Sequence, residues 1–116
     1  MRVTHMNNIV DIEVVTDGKS KSISQKSIVR AFTDEGKVNI QTDDSVYSYR
    51  KSLSALEEDL NPTRFIRISQ SEIINIYKVK HFDISLSGKI NVEFENGTKT
   101  WASRSCVKAI REFLKK

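Results

Sequence analysis

The strongest constraint on this chain is its punctuation: short runs of alternating apolar and polar residues are separated repeatedly by turn-forming pairs. A period of two puts one row of side chains in a core and the other in water, the pattern of half-buried β-strands, and long helical periodicity is scarce. Residues 12–15 and 19–24 flank Asp17-Gly18, a pair that favours a tight hairpin because glycine accepts positive φ without steric cost. Residues 28–32, a turn at Asp34-Glu35-Gly36 and residues 38–41 give a second hairpin, with Val38 and Ile40 on one face. Asp43-Asp44 ends that unit, and residues 46–50 make the next strand. Residues 82–86, a Ser87-Gly88 turn and residues 89–94 form another hairpin, in which Ile90, Val92 and Phe94 alternate with Asn91 and Glu93; Asn96-Gly97 then turns into residues 99–102. The expected fold class is mainly β, a compact domain of small antiparallel sheets with short helices.

Two segments carry helical spacing instead. Leu53, Leu56 and Leu60 recur at helical intervals, with Ser52 placed as N-cap and Pro62 preventing continuation. The last segment, beginning near Ser103, puts Val107, Ile110 and Leu114 on one stripe with Phe113 beside it, while Lys108, Arg111 and Lys115 lie elsewhere. This is a C-terminal amphipathic helix, with Ser103 or Ser105 as its expected cap.

A chain of 116 residues that is 38% hydrophobic and 29% charged has apolar material for one core and is too rich in it to read as disordered. One domain over residues 9–116 is expected, preceded by a weakly patterned segment, residues 1–8, expected to fray. No run reaches the about 18 apolar residues of a membrane span, and the opening lacks the apolar region of a signal peptide. A cytoplasmic protein that does not engage membranes is expected; the single cysteine, Cys106, has no intrachain partner, which suits a reducing compartment.

The net charge of +4 is modest, but its distribution is not. Lys99, Arg104, Lys108, Arg111, Lys115 and Lys116 face one acid, Glu112, within the last 18 residues, leaving +5 there and −1 over the other 98. That asymmetry suits a surface turned toward a polyanion, although a solubilising tail has the same composition. Catalytic chemistry finds little support. His5, His81 and Cys106 have no metal-ligand spacing, so neither a metal nor a cofactor is expected. Gly18, Gly36, Gly88 and Gly97 are isolated turn positions and form no phosphate-binding loop. Cys106 reads as a small buried hydrophobe, and His81 as a strand-edge residue. No enzyme is expected.

Arg64-Phe65-Ile66-Arg67-Ile68-Ser69-Gln70-Ser71, followed by Ile73-Ile74-Asn75, resembles the most distinctive stretch of the LytTR-type DNA-binding domain, whose pattern runs approximately F-x-R-x-H-R-S-x-x-[IV]-N. Three further pieces fall in that family's order: Ser27-Ile28-Val29 with Glu35-Gly36-Lys37; Arg50-Lys51-Ser52-Leu53 with Leu56 and Leu60; and Asn96-Gly97 with Ala102-Ser103-Arg104. The resemblance spans nearly the whole chain. It implies small antiparallel sheets with short helices, and a sequence-specific, duplex-DNA-binding transcription regulator that enters grooves with loops and strand ends and bends the duplex. It further implies a dimer on direct-repeat promoter sites in a bacterial two-component system governing virulence, quorum-sensing or bacteriocin genes. An upstream receiver domain is typical of such response regulators; with no room for one here, an excised effector domain or a stand-alone regulator is expected.

The resemblance also marks the DNA-binding candidates. Lys37 lies in the family's first contacting loop, beside the unfavourable Asp34 and Glu35. Gln70 stands where the family usually has Arg or Asn, which shifts preference from guanine toward adenine N6 and N7. Ser69 replaces a frequent His, with Ser71 beyond it. Arg104 follows Ser103 at the head of the terminal helix, where a guanidinium can fork onto guanine or phosphate. Arg64 and Arg67 flank the Gln70 segment and are expected to share a face, one supporting the site while the other meets phosphate. Asn75 reads as a buried turn organiser, and Trp101 as a core or interface anchor. Two rivals stand beside this reading. In one, the β-domain is a protein-interaction module whose basic helix docks an acidic partner. In the other it binds single strands through Tyr47 and Tyr49, residues that also suit half-buried strand positions.

Overall fold

A computed structural model describes residues 10–115; the expected fraying of residues 1–8 lies outside the described residues. The chain forms β1 (Ile12–Thr16), β2 (Lys19–Ile23), β3 (Ile28–Asp34), β4 (Lys37–Thr42), β5 (Val46–Tyr49), α1 (Leu53–Asp59), β6 (Phe65–Ser69), β7 (Glu72–Asn75), β8 (Val79–Ile84), β9 (Ile90–Phe94), β10 (Lys99–Ala102) and α2 (Val107–Leu114). Seven strands make one antiparallel sheet in the order β2-β1-β5-β4-β3-β7-β6, and three make a second in the order β10-β9-β8. The hairpins joining β1 to β2 and β3 to β4 turn on Asp17-Gly18 and Glu35-Gly36, both residues of each pair at positive φ, so their twist matches that of the flanking strands. The second turn is shorter than the expected three residues because Asp34 pairs with Lys37 inside the ladder.

Alternation along the central strands feeds two cores. Ile28, Ala31 and Ile73 face one side with Leu53, Leu56 and Leu60 of α1. Val29, Ile68 and Ile74 face the other, packed with Ile90, Val92, Phe94, Ala102 and Ile110. The larger sheet is therefore a middle layer, covered by α1 on one face and by the small sheet with α2 on the other. A polar strut crosses the second interface: Glu72 accepts from Arg30 Nη1 at 3.0 Å and from Thr100 Oγ1 at 2.6 Å, while Gln41 accepts from Arg30 Nε at 2.7 Å and donates to Thr98 Oγ1 at 3.0 Å.

Asn75 is the turn organiser that the sequence suggested. Wholly buried, it donates to the Ile28 carbonyl at 2.8 Å and accepts from the Tyr77 N–H at 3.0 Å. Asn75→Ala orphans both backbone groups, and a loss of about 2 kcal/mol in urea unfolding is expected.

Several expectations are corrected. The strand expected at residues 82–86 starts three residues earlier, at Val79, and stops at Ile84. Ser52 caps α1 through the Ala55 N–H, but neither Ser103 nor Ser105 caps α2 with its side chain. A 3-10 turn, Arg104–Cys106, intervenes, and the Ser103 backbone and hydroxyl are both drawn to the Ile68 carbonyl at 3.1 and 3.4 Å. On α2 only Ile110 is fully buried, and Leu114 is half-exposed. Trp101 is not a core residue: opposite Asn91 on edge strand β10, it faces outward while Ala102 fills the inner row. Cys106 does pack against the second core, and Tyr47 and Tyr49 lie half-buried against the first.

Candidate nucleic-acid interface

Antiparallel pairing decides which loops share an end of the molecule. β3 pairs with both β4 and β7, and β7 with β6, so the β3–β4 and β6–β7 turns emerge from the same end of the large sheet. The Thr33 N–H donates to the Ser71 carbonyl at 2.9 Å, locking the two side by side. The Ser103 N–H reaches the Ile68 carbonyl, which brings the junction between β10 and α2 to that end as well. Arg67, Ser69, Gln70, Ser103, Ser105 and Cys106 line one shallow concavity there.

Within it Gln70 is exposed at the apex of its turn. The Ser69 hydroxyl accepts from the Ser71 N–H at 3.2 Å, closing a side-chain turn around the exposed glutamine. Arg67 is the brace of this turn: its Nε donates to the Ser69 carbonyl at 3.0 Å and its Nη2 to the Gln70 carbonyl at 2.6 Å, while Nη1 pairs with Glu57 at 2.9 Å. Arg64 does not share its face, because three residues is an odd step in a strand; Arg64 instead lies over the Tyr77 ring at 4.5 Å.

Arg104 is exposed, and one edge of its guanidinium is committed. Nε and Nη2 donate to the Ser87 carbonyl at 2.9 and 2.6 Å. Arg104 thus stands between two turns, next to Ser103 of the concavity and tied to the turn joining β8 and β9. Nothing in the local sequence marks Ser87 as its partner, seventeen residues away. Lys37 is exposed at the start of β4, at the same end, with Asp34 and Glu35 giving its turn a local excess of one negative charge. Lys108 and Arg111 are exposed on α2 and Lys115 at its C-cap, and their steps of three and four put them on one stripe of the helix surface, while Arg104 lies in the 3-10 turn ahead of it.

Other chemistry is sparse. His81 Nε2 lies 3.2 Å from Glu93 and 3.5 Å from Asp83 on the outer face of the small sheet. Among the described residues no three His, Cys, Asp or Glu side chains gather where they could hold a metal, and no helix is long and apolar enough to cross a membrane.

Known proteins share this fold and parts of its sequence. The LytTr DNA-binding domain model matches residues 18–115. The transcriptional regulatory protein LytR of Staphylococcus aureus is 33% identical over 97 residues, covering 84% of this chain and 39% of the relative. The sensory transduction protein LytT of Bacillus subtilis is 28% identical over 92 residues, covering 79% and 38%. The chain therefore spans about two fifths of the length of these relatives. A solved LytTr DNA-binding domain from Bacillus cereus superposes with a TM-score of 0.85 over 90% of this chain and 96% of its own, at 18% identity, a match of fold. Since the family model covers nearly the entire chain, this protein belongs to the LytTr DNA-binding domain family.

Proposed function

We propose that the chain is the DNA-binding part of a transcription regulator, with residues 9–116 acting as one unit that docks sequence-specifically on duplex DNA through the end of the sheets bearing Gln70 and Arg104. The observation that carries this reading is the convergence of the β6–β7 turn and the Ser103–Cys106 junction, far apart in sequence, on one exposed concavity, with Arg104 next to Ser103 at its margin. Gln70 offers an amide to an adenine edge, and the free part of the Arg104 fork offers donors to guanine or phosphate. Ser69, Ser71 and Ser103 supply hydroxyls toward phosphate; Arg67 holds the tip in shape, and Lys37 lies at the margin. The chain binds without catalysing, in the cytoplasm, as a dimer on direct-repeat promoter sites. In the longer regulators of this family the remaining length fits an upstream receiver domain.

Selection from a random duplex pool tests the reading: enriched fragments are expected to carry two copies of a short site in the same orientation. Arg104→Ala is expected to cost about 1–2 kcal/mol on an enriched duplex and less on a scrambled one, measured by fluorescence anisotropy. Equal wild-type affinity for enriched and scrambled duplexes at physiological salt overturns sequence-specific binding.

A further inference from the structure

A polyanion selects among loops by their carboxylates. The β1–β2 turn carries Asp17, the β3–β4 turn Glu35, the β4–β5 connection Asp43 and Asp44, and the β9–β10 turn Glu95. Of the six connections between consecutive paired strands, two carry none: Ser69-Gln70-Ser71, already assigned to the interface, and Ser85-Leu86-Ser87-Gly88 between β8 and β9, where the next charged residue is Lys89. The second of these is the turn to which Arg104 is tied.

Its construction is specific. The Gly88 N–H donates to the Ser85 carbonyl at 3.0 Å and the Ser85 N–H to the Lys89 carbonyl at 2.8 Å, setting Leu86 at the apex. Gly88 has φ +91°, which glycine adopts without the strain a side chain would meet, and the Arg104 side chain packs against it. Leu86 is fully exposed: its relative exposure is 110%, while every other large apolar side chain of the described residues is at 64% or below. A lone surface leucine needs no explanation. A leucine at the apex of a carboxylate-free turn, fastened to the arginine offered to DNA, is placed for a contact.

We infer that the β8–β9 turn is a further DNA-contacting element in which Leu86 covers apolar atoms in the groove, a thymine methyl or a deoxyribose edge, beside the base pair met by Arg104. This rests on the reading that the Gln70–Arg104 end engages duplex DNA. The Ser87 carbonyl fixes the guanidinium and the leucine relative to each other, so both enter together. Apolar contact of this kind adds discrimination without adding charge.

The test uses the full chain and a duplex enriched from the random pool, beside a scrambled duplex of equal composition. Leu86→Ser is expected to weaken the enriched duplex about tenfold, the loss of one leucine's burial. The dependence of affinity on salt stays at its wild-type slope, since no phosphate contact is removed. Val46→Ser, a change at an exposed valine on the far end of β5, is expected to leave affinity unchanged, and thermal melting of both variants checks the fold. Uracil in place of each thymine then separates the two apolar partners: weakening of wild type but not of Leu86→Ser assigns a methyl, and weakening of neither assigns the sugar. Wild-type affinity of Leu86→Ser for the enriched duplex overturns the inference. If Arg104→Ala still weakens binding in that case, the DNA-binding reading survives alone; if wild type prefers no duplex, both fall together.

Discussion

Glu72→Ala is expected to remove about 3–5 kcal/mol of folding stability, the cost of leaving one partner of a buried ion pair without the other. The carboxylate is nearly buried at the first position of β7 and accepts from Arg30 of β3 and Thr100 of β10, so it ties neighbouring strands of one sheet to the other sheet. Without it the Arg30 guanidinium, itself mostly buried above the Phe32 ring at 4.1 Å, keeps only the Gln41 oxygen. A domain of this size commonly has about 5–15 kcal/mol in total, so the variant should unfold at a much lower urea concentration with an unchanged slope. Glu72→Gln retains acceptor oxygen and is expected to lose less than half as much. Because Glu72 directly follows Ser71, hydrogen exchange at residues 71–73 should accelerate in the alanine variant before global unfolding sets in. A midpoint matching wild type would show that the strut contributes nothing to holding the sheets together.

The parts of this fold legible in the sequence are those decided by neighbours along the chain. Asp17-Gly18 sets its hairpin because both residues must reach positive φ, and Ser52 caps α1 because its hydroxyl meets an N–H three residues on. The Ile90, Val92 and Phe94 alternation was readable for the same reason, since β9 buries one face only. The pair β6 and β7 offered no such period. All four residues of β7 are buried, because that strand lies between two cores and its charged member is consumed by the inter-sheet strut. Only the resemblance around Ser69-Gln70-Ser71 drew attention there.

The same division runs through the candidate site. Gln70 and Arg104 could be named from motif order. That Arg67 grips the Gln70 carbonyl, or that Arg104 grips Ser87, depends on backbone carbonyls, which every residue type presents alike. Trp101 shows the converse failure. Its size argued for burial, but its register opposite Asn91 fixed it on the outer row of an edge strand.

The second large effect concerns charge. Changing Lys108, Arg111 and Lys115 together to alanine is expected to flatten the log–log dependence of DNA affinity on salt by about 2.7, three contacts at 0.9 each. Because counterion release vanishes near roughly 1 M salt, that slope corresponds to a loss of two to three orders of magnitude at about 0.1 M. The three side chains are exposed, and alanine is the strongest helix former, so α2 should persist and thermal melting should change little. The loss should fall equally on enriched and scrambled duplexes, since phosphates carry no sequence information, whereas Arg104→Ala should narrow the ratio between them. The two variants therefore separate holding from reading. An unchanged salt slope in the triple variant would place the basic stripe off the DNA. The turns bearing Gln70 and Arg104 would then meet the duplex alone.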